Sequence, residues 1–208
     1  MLSDSTNVEK EGHTISAQEI GAELSRITDA ATGRIIVALF ASNIARIQQI
    51  VNIAKARGRK IVVNGRSIEV AVSIARNLGY IQIPGGAEID TDEIGRHPDD
   101  EVIIITTGNQ GEPMSALARM AAGNHKQIKT KKEDTIILSS KFIPGNEKAI
   151  GHIINKLYKR GANVIYEKIS EFEDCRGVLR DEIDRYNNHQ VHSTTREIPS
   201  IRFERALE

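Results

Sequence analysis

The stretch Ile103-Ile-Ile-Thr-Thr-Gly-Asn-Gln-Gly-Glu-Pro-Met-Ser-Ala-Leu117 constrains the fold more than any other part of the chain. A β-branched run stops at Thr-Thr-Gly, a polar turn follows, and Glu-Pro leads into a helix-forming segment. A strand without polar alternation must be covered on both faces, as in a parallel sheet packed between helices. Pro113 suits the first turn of the following helix, because the N–H it lacks would be unpaired there anyway. In open parallel sheets, ligands collect beyond the carboxyl ends of the strands, where helix N-termini offer N–H groups to anions. The loop after Thr106 is therefore a candidate phosphate or nucleotide surface.

The same grammar recurs along the chain. Arg34-Ile-Ile-Val-Ala-Leu-Phe40 is nearly continuous and apolar, and Ser42 or Asn43 caps a helix with Ile44, Ile47, Ile50, Val51 and Ala54 at helical spacing. Lys60–Asn64 is a second strand; Gly65 breaks it, and Ser67 opens a helix carrying Val70, Ala71, Ile74 and Leu78 before Gly79. Residues 84–100 read as loop, with Ala87–Ile94 the one candidate for a short helix. Glu101–Thr106 is the third strand, with a helix near Met114–Ala122; Thr135–Leu138 is the fourth, followed by the helix Glu147–Lys159; Asn163–Tyr166 is the fifth. Strands alternating with helices over short connections predict a three-layer, doubly wound α/β fold with a mainly parallel five-stranded sheet. Outside the repeat, Ser16–Ala31 reads as an amphipathic helix with Ile20, Leu24 and Ile27 on one face, and the tail from Phe172 is charged and irregular.

Charge and cysteine narrow the function. The 28 basic and 28 acidic side chains cancel, so no bulk field draws the chain to nucleic acid or membrane, and any polyanion contact must be local. Cys175 alone gives no internal disulfide framework and fits a reducing compartment, and no apolar run approaches a membrane span. A cytoplasmic protein without membrane contact is the expectation.

Several chemistries lack their residues. The chain reads Ala-Ser-Asn-Ile after Phe40, with no glycine fingerprint for a dinucleotide, and no Walker lysine motif occurs. None of the six histidines is paired closely with a carboxylate in metal-ligand order; His189 and His192, three apart in a coil-like tail, read as solvated. What remains is a ring of polar loops just after strands: Ser42-Asn43, Gly65-Arg66-Ser67, Thr107 to Glu112, and Ser139-Ser140-Lys141. Helix capping alone accounts for many such loops. The added cations Arg46, Arg66 and Lys141 favour a binding edge, with Arg66 able to fork onto a phosphate. Lys129, Lys131 and Lys132 form a basic cluster beside a turn and read as a solvated face.

Ser3-Asp-Ser-Thr-Asn7, Phe40-Ala-Ser-Asn-Ile-Ala-Arg-Ile-Gln-Gln49, Gly65-Arg-Ser67, Thr106-Thr-Gly-Asn-Gln-Gly-Glu-Pro-Met-Ser-Ala-Leu-Ala-Arg119 and Ile143-Pro-Gly-Asn-Glu147 resemble, in order, bacterial ribonuclease J. That family is a metallo-β-lactamase-fold nuclease with an inserted β-CASP domain, and the resemblance covers residues 1–170. It implies a zinc-dependent RNA hydrolase whose β-CASP domain closes over RNA, and Asp4 matches the aspartate that bridges two metals. The implied division is 1–32 for the end of a metallo-β-lactamase domain and a linking helix, 33–171 for the β-CASP domain, and 172–208 for a divergent tail. The resemblance implies that the Thr-Thr-Gly and Arg-Ser loops face RNA, and with the strand-end rim the candidate RNA- or phosphate-binding residues are Ser42, Asn43, Arg46, Arg66, Ser67, Thr107, Gly108, Gln110, Glu112 and Lys141.

The departures are specific. The family's His-x-His-x-Asp-His cluster is absent, no Ser-Gly-His-Ala or His-Gly-Glu motif follows Ser170, and Ala45 and Asn109 stand where the family commonly has His and Ser. A catalytic zinc needs about three protein ligands, so Asp4 by itself predicts a β-CASP portion without zinc and without hydrolysis when alone. Two other classes compete with that expectation: a stand-alone module gripping RNA or nucleotide phosphates, and a dimerisation or scaffold piece. The partners expected are RNA, a metallo-β-lactamase domain, and a second copy of the chain.

Overall fold

A computed structural model of the chain describes residues 16–140 and 142–166. Its elements are α1 (Ala17–Ala30), β1 (Ile35–Ala38), α2 (Ile44–Ala56), β2 (Lys60–Asn64), α3 (Arg66–Asn77), β3 (Val102–Thr106), α4 (Ala116–Ala122), β4 (Thr135–Leu138), α5 (Glu147–Tyr158) and β5 (Asn163–Ile165). The five strands form one sheet in the order β2-β3-β1-β4-β5, and every pairing is parallel. β1 is central: Ile36 pairs with Ile104 on one side and Ile136 on the other. The expected α/β architecture is the observed one.

Strand alternation divides the core into two layers. Ile36, Ala38, Ile104, Ile136 and Leu138 pack with α4 and α5, while Ile35, Val37, Ile103, Ile105 and Ile137 pack with α1, α2 and α3. Successive side chains of a strand point to opposite faces, so an unbroken apolar run feeds both layers at once. The β2–β3 connection changes sides. After α3, residues 87–89 run beside β2, where Ile61 donates its N–H to Ala87 O and accepts from Ile89 N–H. A 3-10 turn over Thr91–Arg96 then buries Ile94 in the α4–α5 layer. The helix expected over Ala87–Ile94 is thus an edge-covering strand segment followed by that turn, since pairing the open edge of β2 satisfies its N–H and C=O groups.

Local chemistry sets the helix ends. Ser16 and Glu19 form a reciprocal capping box at the start of α1. Asn43, rather than Ser42, caps α2 by accepting from the Arg46 N–H at 3.2 Å. α3 begins one residue earlier than expected, on Gly65 with no side-chain cap, and its buried face is Ile68, Val72 and Ala75. The outward face carries Val70, Ile74 and Leu78, all more than half exposed. Both sets recur at helical spacing, and only the position of the sheet decides between them. Pro113 sits in the turn before the Ser115 cap of α4, not in its first helical turn.

Two buried polar clusters fix the ends of the sheet. At the amino edge, Arg34 forks onto Asp134 with bonds of 2.9 and 2.7 Å, and Asp134 also accepts from the Lys131 N–H. Removing one partner of such a buried pair leaves an uncompensated charge. Lys131 pairs with Asp99 and Lys129 donates to Gly123 O, so the basic cluster lies at this amino edge. Among the described residues, no helix is long and apolar enough to cross a membrane.

At the other end of β2, His125 is buried with both ring nitrogens engaged. Nδ1 accepts from the Ile128 N–H at 3.0 Å, so Nε2 carries the proton and donates to Asn64 Oδ1 at 3.0 Å. Burial first, then the charges of Arg119 and Lys129, hold its pKa below the usual histidine value. A folded pKa below the unfolded value of about 6.5 means that unfolding takes up a proton below that pH. This contribution is complete above about pH 6.5 and declines as pH falls toward the folded pKa. Urea unfolding is expected to lose stability as pH falls from about 7.5 to about 5, by at most about 1.4 kcal/mol per pH unit from this group, and His125→Gln to make the profile shallower. Identical slopes for the two proteins would contradict the assignment.

Candidate nucleic-acid interface

Parallel strands deliver all their carboxyl ends to one edge, and the loops after β1, β2, β3 and β4 form a single rim there. Two groups of residues occupy it. Around β2 and β3, a cavity of about 620 Å³ is lined by Arg66, Ser67 and Val70 from α3, and by Thr107, Glu112, Met114, Ser115 and Arg119 from the loop and helix after β3. Arg66, Ser67 and Glu112 are exposed, and Thr107 is half-buried. Ser115 caps α4, accepting from the Ala118 N–H and donating to Glu112 O.

The second group lies between β1 and β4 and is largely enclosed. Arg46 is 9% exposed; its Nη1 donates to Ser139 Oγ at 2.9 Å, and its buried Nε has no partner. Burial lowers the Arg46 pKa, but a guanidinium stays charged at any ordinary pH. Ser42 is exposed beside it, and the Asn43 side chain is spent on capping α2. Among the described residues, this buried cation has no carboxylate partner.

Between the two groups runs the loop after β3, which is held from several sides. Gln110 is buried; its amide donates to Ser140 Oγ at 3.2 Å, and its carbonyl accepts from the Ile143 N–H at 2.9 Å and from Asn146 at 3.4 Å. Asn109 also donates to Ser140 Oγ. Glu112 accepts from the Gln110 N–H. A Cβ at Gly111 would stand 2.7 Å from Ala149 Cβ, so the loop touches α5 directly. Gly108 has φ +114°, and a Cβ there would strike the Ser115 side chain and lie 2.9 Å from Leu117 Cβ.

Of the residues singled out from sequence, Arg66, Ser67, Thr107 and Glu112 thus share one cavity, with Ser42 exposed farther along the rim. Gly108 and Gln110 are inside the loop, where they shape it instead of facing solvent, and Arg46 is nearly enclosed. Asp4, Lys141, His189, His192 and the tail over 172–208 lie outside the described residues. Among the described residues, no group of three or more His, Cys, Asp or Glu is arranged to hold a metal. The described residues therefore do not by themselves fit a zinc centre. Sequence reasoning missed Arg119. Its one signal was position: four residues after Ser115, it returns to the same face of the helix.

The fold and its rim define a doubly wound parallel α/β domain with a polar, arginine-bearing face at the strand ends. The family model described as "Ribonuclease J, beta-CASP domain" matches residues 32–157, more than half of the chain, and the chain belongs to that family. It is 45% identical over 168 residues to ribonuclease J of Helicobacter pylori strain J99, covering 81% of this chain and 24% of the relative. It is 47% identical over 164 residues to ribonuclease J of Mycolicibacterium smegmatis, covering 79% and 29%. Against ribonuclease J of Thermus thermophilus the identity is 43% over 166 residues, covering 80% and 29%. The chain spans about a quarter to three-tenths of the length of these relatives.

The packing around Gly108 is open to test. Gly108→Ala adds a side chain where both the backbone angle and the space oppose it, and is expected to lower the unfolding free energy by about 1–3 kcal/mol. Urea denaturation measures this; an unchanged midpoint would show that the loop is not held as described.

Proposed function

We propose that the rim is the RNA-contacting face of a ribonuclease J-type RNA hydrolase, to which this chain contributes the β-CASP portion. In this reading residues 1–32 are the end of a metallo-β-lactamase domain and its linking helix, 33–171 the β-CASP domain, and 172–208 a divergent tail. The metal centre is supplied from outside the described residues, with Asp4 as one of its ligands and zinc as its metal. The chain alone is inactive in hydrolysis. The protein works in the cytoplasm, on RNA, against a metallo-β-lactamase domain, and as a homo-oligomer.

The observation carrying the reading is the gathering of Arg66, Ser67, Thr107 and Glu112 into one cavity at the carboxyl edge of the sheet. Arg66 offers a planar fork suited to phosphate, and the hydroxyls of Ser67 and Thr107 add donors beside it. Ser42 and Asn43 extend the contact along the rim, while Arg46 contributes an enclosed positive charge that solvent screens little. Lys141, next in sequence after Ser140, is taken as a further phosphate contact in this reading. Gly108 and Gln110 serve binding through the shape of the loop, since the Gln110 side chain is committed to Ser140, Ile143 and Asn146.

With a formal net charge of zero, binding by the chain alone should be modest and strongly salt-dependent. Arg66→Ala is expected to weaken a single-stranded oligoribonucleotide several-fold, and to reduce the slope of log affinity against log salt by about 0.7, the loss of one phosphate contact. Fluorescence anisotropy over a salt series measures both. Unchanged affinity and slope would remove this face as the RNA site.

A further inference from the structure

Ten arginines fall within the described residues, and their partners sort them. Arg26, Arg34, Arg57, Arg76 and Arg96 each pair with a carboxylate. Arg59 donates to the carbonyls of Gly33, Thr28 and Ala31, Arg160 donates to Ala121 O, and Arg46 donates to Ser139. Arg66 and Arg119 are left, with no hydrogen bond or ion pair from either guanidinium among the described residues, and both line the cavity between α3 and α4. For Arg119 this is costly, because its Nε is fully enclosed and still unpaired. Arg119 is half-buried on the cavity wall, so its guanidinium is placed to meet an anion that enters there.

The rest of the cavity says which anion. At about 620 Å³ it falls within the roughly 300–1,000 Å³ typical of small-molecule sites, larger than a bare phosphate needs. Val70 and Met114 contribute apolar surface to the lining although they are 55% and 81% exposed, so they offer flat contact to an apolar ring entering from solvent. Glu112, on the same lining, can only accept hydrogen bonds when ionised, which suits a sugar hydroxyl or a base amino group and not a phosphate oxygen. Two free guanidinium groups, an apolar wall and one acceptor match the three parts of a ribonucleotide: phosphate, base and ribose.

We infer that the α3–α4 cavity is a one-nucleotide subsite, in which Arg119 and Arg66 share a phosphate while Val70 and Met114 flank the base. The inference rests on the reading of the rim as an RNA surface and adds to it a defined register point, with Arg119 as a binding residue. A strand crossing the rim would be pinned at one nucleotide here. The same site would accept a free nucleoside monophosphate, because everything it recognises lies within a single nucleotide.

The test uses the 208-residue chain with adenosine monophosphate, adenosine, inorganic phosphate and a short oligoribonucleotide, followed by amide NMR shifts and anisotropy. Adenosine monophosphate is expected to bind more tightly than adenosine or phosphate, and to shift amides of residues 65–70 and 112–119. Arg119→Gln is expected to weaken it at least tenfold and the oligoribonucleotide several-fold, with no loss of thermal stability, since the substitution removes an unpaired guanidinium. Arg119→Lys, which keeps the charge but not the fork, should fall between. Met114→Ser should weaken adenosine monophosphate and leave inorganic phosphate unchanged. The subsite is overturned if Arg119→Gln leaves adenosine monophosphate binding intact, or if phosphate binds as well as the nucleotide. Should Arg66→Ala still weaken the oligoribonucleotide in that case, the rim reading survives and only the subsite falls. If the oligoribonucleotide shifts no rim amide, the rim reading falls with it.

Discussion

The parallel register of β1 with both of its neighbours is the constraint from which the rest of the molecule follows. Ile35 to Ala38 pair with Ile103 to Thr106 on one side and Thr135 to Leu138 on the other, residue for residue. With β2 and β5 added in the same direction, every strand ends at one edge. Loops that are distant in sequence therefore become neighbours, and helices cover both faces because the apolar strands must be dry on both. The amino edge receives the opposite treatment. There Arg34 and Asp134 close a buried, fully bonded pair, and the lysines nearby are tied to Asp99 and Gly123.

Within the rim, rigidity and availability are kept in different residues. Gln110, Asn109, Ser140 and Asn146 bind one another and fix the loop after β3 against the loop after β4. Gly111 lets that loop lie against α5. The residues left unengaged, Arg66 and Arg119 above all, face the cavity on the α3 side. A binding surface gains most when its ligands need no reorganisation, and the Gln110 network supplies that preorganisation without itself facing solvent.

Much of this was legible in the residues. Continuous runs such as Ile103–Thr106 and Thr135–Leu138 announced buried parallel strands, and the Asn43 cap and the Gly79 after α3 marked helix ends. The apolar phase of α3 was not legible. Val70, Ile74 and Leu78 repeat as regularly as Ile68, Val72 and Ala75, and only contact with the sheet selects the second set. Tertiary partners were likewise hidden: Arg34 finds Asp134 across a hundred residues, and nothing in Gln110 itself shows that its amide turns inward. In the candidate site the loops could be named because strand ends are easy to find. Arg119 could not, because an arginine one turn into a helix is usually a solvated one.

The central claim is that nucleic acid meets this domain at the carboxyl edge of the sheet. Photo-crosslinking of an oligoribonucleotide to the chain, with the modified peptides mapped by mass spectrometry, tests it most directly. Crosslinks confined to residues 42–46, 65–70 and 107–119 are the predicted result. Crosslinks concentrated on the Lys129–Lys132 segment at the opposite edge would contradict the account.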